Sequence, residues 1–151
     1  MNAAVAIALR DATARLSEIS DTARLDAELL MAHALGVTRS NMLLGIGRSD
    51  WDVPAAFLRY CDRRAMCEPV AYILGHEEFY GRKFIVTPDT LIPRADSETL
   101  IEAAMEMAPS AKRVLDLGTG SGVLLITALL ELGDASGVAT DISERALVVA
   151  R

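Results

Sequence analysis

Apolar residues return at Val5, Leu9, Ala12, Leu16 and Ile19, in steps of four and three, the stripe of an amphipathic helix with one buried face. Ser20 or Asp21 can cap a second helix, in which Leu25, Leu29 and Ala32 repeat the pattern until Gly36 offers a stop. Thr38 can cap a short third helix running to about Leu44. After Gly45 and Gly47, Ser49 or Asp50 can cap a fourth, with Val53, Phe57 and Cys61 on one face and Arg59, Asp62 and Arg63 on the other. Residues 1–68 therefore read as a small helical bundle.

The texture changes at Glu68-Pro69. Tyr72 to Gly75 leads into Phe79-Tyr80-Gly81-Arg82-Lys83-Phe84-Ile85-Val86, aromatic and β-branched residues about a central glycine, which predicts a β-hairpin. Pro88 and Pro93 restrict an extended connector. Glu98, Leu100, Ile101, Ala104, Met105 and Ala108 suggest a further helix ended by Pro109. Next come a short apolar strand, Arg113 to Leu117, a glycine loop, Gly118-Thr119-Gly120-Ser121-Gly122, and a helical pattern from Val123 to Leu132. Gly137 to Asp141 reads as a second strand ending in a carboxylate, with a helix beginning near Ser143.

Composition narrows the class. With 151 residues, 52% hydrophobic and 24% charged, the chain suits one globular domain, or a small domain plus part of another. Basic residues number 15 and acidic ones 21, a net charge of −6, which leaves no general nucleic-acid footprint. The run Met1 to Leu9 lacks the leading positive charge of a signal peptide, and no stretch approaches the ~18 apolar residues of a membrane span. The expectation is a cytoplasmic protein. Cys61 and Cys67, separated by five residues, fit neither a redox pair nor zinc ligands and read as two buried thiols. His33 and His76 pair with no nucleophile or metal cluster and read as structural residues, Trp51 as a packing anchor, and the methionines as core filler.

The chemistry concentrates in the glycine loop. Alternate glycines let the backbone turn sharply and let a ligand approach its amides, while the next helix turns its N-terminal N–H groups toward that ligand. Asp141, 21 residues past Gly120, can accept both hydroxyls of an adenosine ribose. A dinucleotide fold wants G-x-G-x-x-G, but position 123 is Val, which counts against a nicotinamide-dependent enzyme. The bland alternative is a tight βα turn, with Asp141 capping the helix near Ser143. With Asp116 ahead of it, the loop resembles motif I of Rossmann-like methyltransferases that bind S-adenosylmethionine.

Three segments carry a closer resemblance: Glu68-Pro69-Val70-Ala71-Tyr72-Ile73-Leu74-Gly75, Glu78-Phe79-Tyr80, and Leu91-Ile92-Pro93-Arg94-Ala95-Asp96-Ser97-Glu98. Together with the loop they are similar to the peptide chain release factor glutamine N5-methyltransferases, the HemK or PrmC family. The resemblance implies an α/β protein: a helical N-terminal domain (1–68) that helps dock the release factor, a linker with a β-hairpin (69–93), and the first part of a Rossmann-like methyltransferase domain (94–151). It implies S-adenosylmethionine as cofactor, with Gly118, Thr119, Gly120, Ser121 and Gly122 holding its methionine part and Asp141 its ribose. Leu91 and Arg94 match positions near the substrate glutamine of a Gly-Gly-Gln motif. The family usually has Pro after this arginine, whereas Ala95 stands here; the competing role for Arg94 is a surface ion pair with Asp96 or Glu98.

A neutral amide nitrogen is a poor nucleophile because its lone pair is delocalised into the carbonyl. The family meets this with an Asn-Pro-Pro-Tyr motif that orients the amide, and no Pro-Pro pair occurs between Met1 and Arg151. The expectations are therefore a fragment without catalytic residues of its own, monomeric when complete, with an open edge on its first strand. Two rivals remain: a glutamine methyltransferase of ribosomal proteins, and a non-catalytic module that binds release factor through its helices.

Overall fold

The computed structural model describes residues 4–151, so Met1 to Ala3 of the apolar opening run lie outside the described residues. The chain divides into two compact units, residues 1–74 and 75–151.

The first unit holds helices α1 (Ala4–Leu16), α2 (Ala23–Leu35), α3 (Arg39–Gly45), α4 (Ala55–Ala65) and α5 (Val70–Leu74). Its core gathers Val5, Leu9 and Leu16 with Leu30, Met31, Met42, Phe57, Cys61 and Ile73. Thr38 caps α3 by accepting from the Asn41 amide at 3.1 Å, and Gly36 ends α2 in the left-handed region at φ +69°. Several expectations need correction. Ile19 lies past the end of α1 and is exposed. The buried residues of α2 are Ala23, Asp26, Ala27, Glu28, Leu30, Met31 and Ala32, so of the predicted stripe Ala32 is buried but Leu25 and Leu29 are not. Neither Ser49 nor Asp50 caps α4, which starts after Pro54. Cys67 is exposed beyond α4, and Met66 and Met107 are exposed as well.

Trp51 packs into this core so closely that a Cβ on Gly45 would sit 2.3 Å from its Cη2. Two acids are also buried on α2. Arg24 and Arg39 both donate to Glu28; burial pushes the Glu28 carboxyl up, but the two guanidinium groups outweigh it and hold it below the usual value. Asp26 accepts from Arg64 across 38 residues of sequence.

In the second unit, β1 (His76–Phe79) and β2 (Arg82–Ile85) form an antiparallel hairpin, with Phe79 opposite Arg82 and a turn at Tyr80-Gly81. A connector ends in one 3₁₀ turn, Ala95–Ser97, and then come α6 (Glu98–Met107), β3 (Arg113–Leu117), α7 (Val123–Leu132), β4 (Ser136–Thr140) and α8 (Glu144–Val149). β3 and β4 pair in parallel, Arg113 opposite Ser136 and Leu117 opposite Thr140, with α7 as the crossover. α7 lies so close to β4 that a Cβ on Gly137 would meet Leu125 Cδ1 at 2.6 Å. On the opposite face Leu115, Leu117 and Val138 are exposed, and among the described residues β3 pairs with β4 alone. The core joins Phe79 and Phe84 of the hairpin to Ile101 of α6 and Val123 and Ala128 of α7.

One polar atom in this unit is stranded. Thr127 Oγ1 is fully buried on α7 without a hydrogen-bond partner. An unmade buried hydroxyl bond costs about 1–3 kcal/mol, so Thr127→Val is expected to stabilise the chain by about 1 kcal/mol, read as a rise in its urea midpoint. A lower midpoint would mean that the hydroxyl supports the helix.

Candidate cofactor site

β3 delivers the chain to Gly118, and the next five residues turn it into α7. Gly118, Gly120 and Gly122 all sit in the left-handed region, at φ +77°, +56° and +78°, where a side chain is strained. A Cβ on Gly118 or Gly120 would meet nothing within 4 Å, so the loop has open space above these two residues. Gly122 differs: its Cβ would press on Ile126 Cδ1 at 3.1 Å and Ala150 Cβ at 3.2 Å, so this glycine serves the packing of α7 against α8.

Most loop amides are engaged inside the protein, contrary to the reading that they lie open to a ligand. Gly118 N and Thr119 N both donate to Thr140 O, at 2.8 and 2.9 Å, Gly120 N donates to Asp141 Oδ2 at 2.8 Å, and Gly122 N to Thr119 O at 2.8 Å. The loop is thus stitched to the end of β4. Thr119 and Ser121 are buried, and Thr119 Oγ1 donates to Asp116 Oδ2 at 2.7 Å.

Asp141 follows β4 directly. Its Oδ1 accepts from Ser143 N at 2.9 Å, while Ser143 caps α8 by accepting from Ala146 N at 3.2 Å. The capping of α8 weighed for Asp141 from sequence falls to Ser143 instead; Asp141 holds the Ser143 amide just ahead of the helix and grips the glycine loop through Gly120. The amides of Ser143, Gly120 and Ile142 hold the carboxyl below its ordinary value of 3.8. A carboxylate has about four lone-pair positions, so these backbone bonds leave acceptor capacity for a further donor.

Leu91 and Arg94 lie on the connector rather than on the loop. Leu91 is 74% exposed, and Arg94 is exposed with no ion pair among the described residues. The alternative pairing of Arg94 with Asp96 or Glu98 is not formed among the described residues, and Glu98 accepts instead from the Tyr80 amide at 2.7 Å. One link ties the connector to the loop's side of the unit: Arg145 Nη1 stands 3.5 Å from Asp89 Oδ1. Among the described residues no group of His, Cys, Asp and Glu could hold a metal, and no helix is long and apolar enough to cross a membrane.

Residues 8–75 match the family model for the PrmC N-terminal domain, and residues 98–151 match that for ribosomal protein L11 methyltransferase (PrmA). Across both units the chain is 43% identical over 145 residues to a release factor glutamine methyltransferase of Nitratidesulfovibrio vulgaris, covering 94% of this chain and 49% of that protein. The chain is similar along nearly its whole length to release factor glutamine methyltransferases. Proteins of the same name from Cereibacter sphaeroides and Bradyrhizobium diazoefficiens are 44% and 38% identical over 147 and 151 residues. These alignments cover 95% and 96% of this chain, and 51% and 50% of those proteins. The chain spans about half the length of the curated relatives it matches.

Proposed function

We propose that this chain carries the helical docking unit and the cofactor loop of an enzyme that methylates the glutamine side-chain nitrogen in the Gly-Gly-Gln motif of peptide chain release factors. The observation that carries the reading is the likeness to release factor glutamine methyltransferases, which runs through both units. Release factors would be the protein partner in the cytoplasm, with no role for nucleic acid or membrane.

The loop fits S-adenosylmethionine on two grounds: open space over Gly118 and Gly120, and spare acceptor positions on Asp141. When bound, the cofactor supplies a methyl group on a positively charged sulfur. Asp141 would accept the ribose hydroxyls, and the Thr119–Asp116 bond keeps the loop in shape. Gly118 to Gly122 would line the methionine part. On the connector, Leu91 offers an apolar contact and Arg94 an unpaired cation for the substrate segment. Because the Asp141 carboxyl is held low, cofactor affinity is expected to stay level as pH falls from neutral and to drop only when pH passes below the ordinary value of 3.8, as titration calorimetry would show.

A weak amide nucleophile needs acceptors that aim it, and the 151 residues contain no Asn-Pro-Pro-Tyr run. The test uses a labelled methyl donor with a release factor, offered to the chain alone and to a chimera with the second half of the Nitratidesulfovibrio vulgaris relative. The chain alone is expected to transfer nothing and the chimera to label the Gly-Gly-Gln glutamine. The match of residues 98–151 to the PrmA model favours a second reading, a ribosomal protein as substrate. A chimera that labels only a ribosomal protein would establish it, and one that labels neither substrate would overturn both.

A further inference from the structure

The hairpin turn is held from outside. Tyr80 and Gly81 both occupy the left-handed region, at φ +53° and +68°, the conformation of a tight two-residue hairpin turn. Glycine adopts it freely, but tyrosine is strained there. The Tyr80 N–H donates to Glu98 Oε1 at 2.7 Å, and Glu98 is the first residue of α6. On the other side, Arg82 lies 5.9 Å from the Tyr80 ring centre and pairs with Glu131 of α7 at 2.7 Å. Between these anchors Phe79 and Phe84 pack against Ile101, Val123 and Ala128.

The Tyr80–Glu98 bond closes a loop of chain whose far part is the connector. That loop begins firmly: Val86 is buried with its amide on Gly75 O at 3.2 Å, and Thr90 is buried while its Oγ1 accepts from Thr87 N. Leu91 to Arg94 then emerge, and the chain is caught again at Glu98. α6 packs on α7, the helix that the glycine loop starts.

We propose that Glu98 is a positioning residue: by gripping the Tyr80 amide it fixes the end of the connector, and so presents Leu91 and Arg94 in one arrangement relative to Gly118–Gly122. This rests on the substrate role given to Leu91 and Arg94 above. What matters is the reach of an acceptor oxygen, since a negative charge near the start of α6 would favour the helix wherever its side chain pointed.

Two variants separate reach from charge. Glu98→Gln keeps an oxygen at the same reach without the charge; Glu98→Asp keeps the charge one methylene short. In hydrogen exchange on the 151-residue chain, Glu98→Asp is expected to raise exchange at Tyr80 and across residues 87–97 by about tenfold, with β3 and α7 unchanged. Glu98→Gln is expected to match the parent. Adenosylmethionine affinity should be equal in all three, whereas affinity for a Gly-Gly-Gln peptide should fall several-fold in Glu98→Asp alone. The proposal is overturned if Glu98→Asp protects the connector as the parent does, or if Glu98→Gln loosens it. A parent chain that ignores the peptide would refute the substrate reading while the exchange data still judge Glu98.

Discussion

Gly122→Ala is expected to lower the affinity for S-adenosylmethionine by about tenfold or more and to destabilise the second unit. Two costs coincide. At φ +78° an alanine is strained by about 1–2 kcal/mol, and its Cβ would be forced against Ile126 and Ala150. Relief requires α7 or α8 to shift, and α8 begins just after Asp141, whose carboxylate grips Gly120. The disturbance therefore reaches both candidate binding elements; tenfold in affinity corresponds to about 1.4 kcal/mol. Gly118→Ala is the informative partner, because it meets the same backbone strain in open space. It should lower the thermal midpoint less than Gly122→Ala does. Calorimetry and thermal unfolding of both variants test this, and an unchanged affinity in Gly122→Ala would remove the loop from the cofactor site.

Arg64→Met is expected to cost the helical unit about 3 kcal/mol. The Asp26 side chain is only 8% exposed, and Arg64, itself 16% exposed, donates from Nε to its Oδ2 at 2.8 Å. Ser20 Oγ and Thr22 Oγ1 donate to the same carboxylate, at 2.8 and 3.1 Å, but neither carries charge. Removing one partner of a buried pair leaves the other charge uncompensated, which is costlier than removing both. Asp26→Leu combined with Arg64→Met should recover most of the loss. Urea unfolding followed by the fluorescence of Trp51, the chain's one tryptophan and part of this unit's core, reports the effect. A single variant as stable as the parent would show the carboxylate to be solvated after all.

These two sites also mark where the sequence could and could not be read. The glycine loop was legible because its constraint is local: three residues in the left-handed region demand three glycines wherever the rest of the chain goes. The hairpin, the βαβ crossover and the caps at Thr38 and Gly36 were legible for the same reason. The face of α2 was not. Its buried stripe contains Asp26, and beside it Glu28, so a search for apolar periodicity settles on Leu25 and Leu29 instead. Only the arrival of Arg64, Arg24 and Arg39 makes those acids interior residues, and the Arg64 contact spans 38 positions. The use of the loop amides was hidden likewise, since Thr140 O and Asp141 Oδ2 reach them through strand pairing rather than through sequence neighbourhood.

The two cysteines offer the experimenter a handle. Burial pushes the Cys61 thiol up to about 11 and shuts it away from reagents, while Cys67 stands exposed just past the end of α4. A maleimide dye at neutral pH should therefore settle on Cys67 alone, with no cysteine engineered in or out. Energy transfer from Trp51 to that dye would follow the unfolding of the helical unit in the native sequence, and quenching of the dye would sense a protein arriving at its surface.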